Sequence, residues 1–465
     1  VTHASAPRSH AAPLAPGPRG APLLGNLPDL RRDRIRIFLD AADTYGDVVR
    51  FQFGPGPKRT GHLLRHPDHI KHVFIDAADR FTKQTPGVRE VRALLGDGLL
   101  TSEGALWRRQ RRIAQPAFHK QRIAAFADVM VRAADELVDG WMRRPRPDAP
   151  VDVVSEMMRL ALRIVTETLL GTDVPIDAAA TAHALDLILA DTRKGVTRIL
   201  KIPRHVPTPD NRRFQEAVAV LDREVLRIIE HRRKAPEGGT DLVSTLMAAR
   251  DPETGEGMTD RQLRDEVMTM FAAGHETTAN ALTWTFYLLS THPDVRRRAR
   301  AEVLTGTGGR LPTFADLGAL DLVGRVFQES MRLYPPAWMI TRRAAEDDVV
   351  GGYLIPKDSL VFLAPYVTHR HPAYWENPEG FDPDRFAGGA LARMPRFAYF
   401  PFGGGARQCI GSSFAMVEGT LVLATILRRV RLDLVPGQTI TPEPGITLRP
   451  RGSIHMRVVP EPPPT

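Results

Sequence analysis

Cys409 is the only thiol in a chain of 465 residues, and it stands in the stretch Phe402-Gly403-Gly404-Gly405-Ala406-Arg407-Gln408-Cys409-Ile410-Gly411. One cysteine cannot close an internal disulfide, a zinc knuckle or an iron–sulfur cluster. A lone cysteine is ordinarily a small buried hydrophobe, so its surroundings decide what it does. Three consecutive glycines let the backbone turn tightly and approach a flat ligand closely. Helical sequence resumes after Gly411, through Phe414, Ala415, Val417 and Glu418. Cys409 is therefore expected at a helix N-terminus, where the dipole and free N–H groups stabilise a thiolate. Arg407, two residues earlier, is placed to pair with a carboxylate of the ligand. A phosphate-binding loop is excluded, because no Gly-Lys-Ser/Thr follows the glycines.

A second constraint lies near the middle of the chain. Asp260 to about Ser290 reads as one helix, with Ala273-Gly274-His275-Glu276-Thr277-Thr278 at its centre. A mid-helix glycine costs about 1 kcal/mol relative to alanine and needs a reason. Thr277 can bond back to the Ala273 carbonyl and locally open the helix. The notch left by small Ala273 and Gly274 can then hold dioxygen, with Glu276 beside Thr277 as an acid–alcohol pair that relays protons. A zinc-protease reading fails, since the fifth position of His275-Glu276-x-x-His is Ala279.

The chain is 43% hydrophobic and 25% charged, so a large core is available. Its net charge of +9 is scattered rather than gathered in one tail, which favours an acidic protein partner over nucleic acid. No apolar run approaches the roughly 18 residues of a transmembrane helix, so no membrane anchor is expected. Arg31-Arg32 lacks the apolar stretch of a twin-arginine export signal, and a cytoplasmic location is expected. Residues 1–15 read as a disordered tail, followed by one domain over 16–465 with no repeat or linker. Short strands are expected at Val48–Phe53, near Leu63-Leu64, within 340–364 and within 430–459. Helical periodicity covers Val129–Trp141, Val153–Leu170 and Phe214–Arg232. The class is mainly α with a minor β portion.

The pattern Phe402-x-x-Gly405-x-Arg407-x-Cys409-x-Gly411 resembles the heme-binding signature of the cytochrome P450 family, soluble bacterial type. Ala273-Gly274-x-Glu276-Thr277-Thr278 resembles its oxygen-activation motif at every position. Glu329-Ser330-Met331-Arg332 resembles its Glu-x-x-Arg motif, with Arg385 as third partner in a buried structural network. Asp384 stands there in place of the commoner Glu. Trp107 and Arg111 are similar to a Trp-x-x-x-Arg pair that in the family reaches the heme propionates. Arg342 matches another propionate position, with Arg343 a near-equal candidate.

This resemblance runs from about Pro16 to Arg449. It implies the triangular, mainly α fold of the family, with a long central helix crossing the heme. It also implies heme b (iron protoporphyrin IX), the axial ligand Cys409, and a monooxygenase that hydroxylates a hydrophobic small molecule. Thr277 and Glu276 are the expected catalytic residues. Cys409, Arg407, Trp107, Arg111, Arg342, Phe402, Ala273 and Gly274 are the expected cofactor-binding ones. No flavin or nicotinamide motif is present, so electrons are expected from an acidic ferredoxin or flavodoxin with its reductase, docking near Arg108 and Arg112. The pocket is expected to draw on Lys83–Leu100, Met268–Thr277, Ala337–Ile340 and Gly445–Thr447. The apolar Met270, Phe271, Trp338 and Met339 among them suggest a hydrophobic substrate. By analogy a terpenoid of secondary metabolism is favoured, with a polyketide or fatty acid as alternatives. A peroxide-driven peroxygenase is expected to lack the acid–alcohol pair. A heme sensor would need neither that pair nor a substrate pocket.

Overall fold

β-Branched and aromatic residues in Val48-Val49-Arg50-Phe51-Gln52 favour an extended, half-buried backbone, and this run forms strand β1 (Val48–Gln52). The computed structural model describes residues 12–462 apart from 57–58, 147, 172–179, 182, 185–186, 189–190, 192–202, 205 and 235–240. The chain divides into two compact units. One takes residues up to Thr85, Met339–Pro378 and Met394–Gln408; the other takes Pro86–Trp338, Glu379–Arg393 and Cys409–Thr465. Each is assembled from three separate stretches, which is why no linker composition marks a boundary in the sequence.

The first unit is built on a five-stranded sheet, in the order β1-β2-β5-β4-β3. Its other strands are β2 (Thr60–Leu64), β3 (Phe81–Thr82), β4 (Ile340–Ala344) and β5 (Leu360–Leu363). β2 and β5 are the parallel pair, with Gly61 opposite Leu360. Gly61 has no room for a side chain, because the rings of Phe362 and Phe53 would lie 2.3 and 2.6 Å from its Cβ. The core here joins Val48, Leu64, Ile70, Phe74, Val361 and Phe400. Burying each such side chain stabilises by roughly 1.5–3 kcal/mol. Ala15 belongs to the same core, and the Leu354 N–H donates to the Pro13 carbonyl at 2.9 Å. Pro13 to Ala15 are thus ordered, which corrects the expected tail at its inner end; residues 1–11 lie outside the described residues.

The second unit is helical. Its helices include α1 (Gly104–Ala114), α2 (Lys120–Met142), α3 (Val153–Leu170), α4 (Asp260–Thr291), α5 (Pro293–Thr307), α6 (Asp321–Leu333) and α7 (Ser412–Arg429). Helix α4 has 32 residues, roughly 48 Å at 1.5 Å per residue. A capping box starts it: Thr259 Oγ1 accepts from the Gln262 N–H, and Gln262 Oε1 accepts from the Thr259 N–H. Leu263, Val267, Phe271, Leu282 and Trp284 are buried on its several faces, as befits a helix enclosed by others.

Trp284 stacks on Tyr334 with ring centroids 3.9 Å apart, and its indole N–H donates to the Leu448 carbonyl. Glu329 and Arg332 on α6 are both fully buried and pair at 2.7 Å. Arg332 also donates to the Gly380 carbonyl, while Arg385 reaches Glu329 at 3.3 Å and the Asp382 N–H donates to it at 2.9 Å. The expected three-residue network therefore forms. Asp384, adjacent to it, pairs outward with Arg298 and Arg325 at 2.9 and 2.6 Å. Among the described residues, no helix is long and apolar enough to cross a membrane.

Candidate functional site

The glycine loop is shaped by what surrounds it in the first unit. Gly405 has φ +66, and a Cβ there would lie 2.1 Å from the Phe74 carbonyl oxygen. A Cβ on Gly404 would lie 2.2 Å from the Phe397 ring. Gly404 and Gly405 are therefore demanded by protein atoms, a more local reason than approach to a flat ligand. The 3-10 turn Gly405–Arg407 closes the loop, with Phe402 and Arg407 half-buried. In the same unit Arg342, on β4, is buried, donates to the Thr341 carbonyl at 3.0 Å and lies over the Phe74 ring. Arg343 instead donates to the Gln84 carbonyl at 2.9 Å, with Asp358 at 3.9 Å.

Cys409 opens the third stretch of the second unit, three residues before helix α7, whose N-cap is Gly411. Its side chain has accessible surface, yet it is closely enclosed, so it faces a recess rather than the outer surface. Burial pushes the thiol pKa up, while the Gly411 N–H and the Arg111 guanidinium pull it down. Burial wins, so the helix N-terminus alone does not make this thiol acidic. Arg111 and Trp107 share a face of α1, both half-buried. Burial lowers the Arg111 pKa and the sulfur opposes this, which makes Arg111 and Cys409 electrostatic neighbours.

On α4 the same kind of opening recurs. Ala273 is exposed in the middle of a helix whose residues are mostly buried. Thr277 Oγ1 donates to the Ala273 carbonyl at 2.6 Å. This is the bond the sequence pattern anticipates, but α4 runs unbroken through it, so the expected local opening of the helix does not occur. Glu276 is buried beside it. Gly274 turns out to serve helix packing: a Cβ there would lie 2.9 Å from Val165 Cγ2 on α3. Gly274 itself is half-buried next to exposed Ala273. His275 donates to the Met158 carbonyl at 3.1 Å, and burial lowers its pKa to about 4.

Two buried acids escaped the sequence reading. Glu418 on α7 is pushed up to about 8 by burial, against a hydrogen bond from the Thr278 hydroxyl. Glu266 on α4 is pushed up to about 7, also by burial, while it accepts the Leu99 N–H at 3.0 Å. Only the glycine pair Gly96 and Gly98, which let a loop settle onto α4 at Asp265 and Thr269, hinted at the second.

Met270 and Phe271 belong to a buried core with Leu95, Val243 and Leu246. Trp338 is buried, with its indole N–H on the Gly445 carbonyl at 3.0 Å. Ala337, Met339 and Ile340 keep partial exposure. The basic run on α1 is partly neutralised: Arg112 pairs with Asp251 and Glu253 at 3.1 and 2.8 Å, and Arg109 with Asp251 and Glu256 at 3.6 and 3.4 Å. Arg108 stays exposed.

These residues fit a porphyrin-bound iron. A soft sulfur donor faces a recess, a cation that can meet carboxylates stands next to it, and Ala273 presents a small open surface on α4. Comparison with known proteins agrees. The chain is 38% identical to "Cyclooctatin synthase" of Streptomyces melanosporofaciens, covering 97% of this chain and 95% of the relative. It is 36% identical to "Cyclooctat-9-en-7-ol 5-monooxygenase" of the same organism, at 94% and 93% coverage. It is 33% identical to "Pentalenene oxygenase" of Streptomyces avermitilis, at 93% of each. The crystal structure of the cytochrome P450DA heme domain superposes with a TM-score of 0.87 at 30% identity, covering 98% of this chain and 99% of that one. With the family model for Cytochrome P450 matching residues 15–456 as well, the chain belongs to the cytochrome P450 family and is a heme-dependent P450 monooxygenase.

Proposed function

We propose that this enzyme hydroxylates a hydrophobic cyclic small molecule, a terpenoid of secondary metabolism, using heme b and electrons from separate redox proteins. The observation that carries the mechanism is the pairing of exposed Ala273 with the Thr277 hydroxyl on one face of α4. Cys409 would supply the thiolate that holds the iron. Trp107, Arg111, Arg407 and Arg342 would hold the propionates, and Phe402 would shape the loop ahead of the sulfur. The chemistry the heme supplies when bound is activation of dioxygen and insertion of one oxygen atom into a substrate C–H bond.

The protein's own part is proton control and positioning. Thr277 gives its hydroxyl hydrogen to the Ala273 carbonyl, which leaves the oxygen lone pairs free to accept a hydrogen bond. Glu276, buried next to it, would hold the proton that passes through Thr277 Oγ1. The bulk of Met270, Phe271 and Trp338 lies in the core, so partly exposed Ala337, Met339 and Ile340 would offer the apolar contacts to substrate. Relatives named for cyclooctat-9-en-7-ol and pentalenene support a cyclic hydrocarbon skeleton. The net charge of +9 and exposed Arg108 support an acidic ferredoxin or flavodoxin.

A spin-state titration tests the substrate class. Cyclooctat-9-en-7-ol and pentalenene should shift the heme spectrum and be turned over with a ferredoxin and its reductase. A shift confined to fatty acids or macrolactones would replace the terpenoid reading.

A further inference from the structure

We infer that a cavity between helix α5 and the C-terminal end of helix α7 is a binding site for a phosphoryl or diphosphate group on a small, partly apolar molecule. The cavity has a volume of about 310 Å³, the lower end of the range for small-molecule pockets. Four guanidiniums line it, those of Arg296, Arg297, Arg300 and Arg431, with one carboxylate, Glu461. Ala301, Leu304, Leu427 and Val430 make up the apolar wall.

The charges there do not balance. Arg296 and Arg431 share Asp433, each at 3.0 Å. Arg300 and Arg431 share Glu461, at 3.5 and 3.6 Å. Four cations thus meet two carboxylates, and Arg297 has no acidic partner among the described residues. Arg300 is held by the Glu461 carboxylate, 3.5 Å from its Nε, and by the Pro462 carbonyl, which accepts from its Nη2. Two surplus charges match a dianion better than a single carboxylate, and planar guanidinium forks suit phosphoryl oxygens. The C-terminal end of α7 by itself disfavours an anion, so the arginines must supply the attraction. The apolar wall gives room for the uncharged part of the ligand.

The probe is inorganic pyrophosphate, titrated into the heme-loaded enzyme by calorimetry and by thermal melting, against sodium chloride at equal ionic strength. Saturable binding is expected, with a rise in melting temperature that chloride does not reproduce. R297Q/R300Q should bind about tenfold more weakly or worse, through lost charge-assisted hydrogen bonds. R298Q, on the same helix but facing Asp384, should bind as wild type does. If the double variant fails to fold, R297Q alone serves, because Arg297 is exposed. A chloride response equal to that of pyrophosphate, binding that survives R297Q, or equal weakening by R298Q would overturn the assignment.

Discussion

The hydroxyl of Thr277 is bonded to the carbonyl of Ala273, 2.6 Å away and one turn earlier on the same helix. The bond fixes the rotamer of an alcohol one turn along from exposed Ala273, and it costs the helix nothing visible. Thr277→Ala should keep the fold and heme content while diverting electrons into peroxide. Product formation should fall by roughly a hundredfold, the low end of what a positioned proton-transfer group contributes. Measuring peroxide and product together checks this; full coupling would mean another group carries the proton.

Glu329 accepts from Arg332, Arg385 and the Asp382 N–H in a site without solvent. Glu329→Gln should destabilise the protein by about 3–5 kcal/mol, because it leaves Arg332 charged and buried without its counter-ion. Urea unfolding of the heme-loaded enzyme measures it. A loss below about 1 kcal/mol, the value of an exposed pair, would show that the network is dispensable.

Gly405 combines positive φ with a backbone oxygen 2.1 Å from where a Cβ would sit. Gly405→Ala should therefore displace the loop that leads to Cys409 and lower heme retention. Gly437→Ala is the control, since its φ is also positive but its Cβ position is open. The ratio of Soret to protein absorbance after gel filtration separates the two; equal retention in both variants would refute the steric argument.

Glu418 is held at about 8 by burial, well above the ordinary range for a carboxyl. Between roughly pH 4.5 and 8 the folded state then binds a proton that the unfolded state has released, so this residue's contribution to stability declines as pH rises across that window. Glu418→Gln should equal wild type near pH 5 and exceed it near pH 9. Melting temperatures across that range check the sign, and parallel curves would contradict it.

Much of this arrangement is legible along the chain because it depends on local spacing. Thr277 and Ala273 are four apart on one helix, Glu329 and Arg332 are three apart, and Val153–Leu170 is a periodic stretch with the bounds the structure gives it. What is not legible depends on partners far away in sequence. Val165 packs against Gly274, and Leu95 and Leu246 share a core with Met270 and Phe271, contacts that no local spacing announces. Glu266 and Glu418 look like ordinary helix-surface acids; only the packing of other elements buries them. Pro13 to Ala15 carry no periodic signal at all, and order comes from the edge of Tyr353–Ile355 that they meet.

Cys409 as the axial ligand is the claim on which the rest depends. The carbon-monoxide difference spectrum of the reduced enzyme tests it most directly. Wild type should show the red-shifted Soret band of thiolate ligation, and Cys409→Ala should lose that band. A variant whose spectrum matches wild type would contradict the assignment.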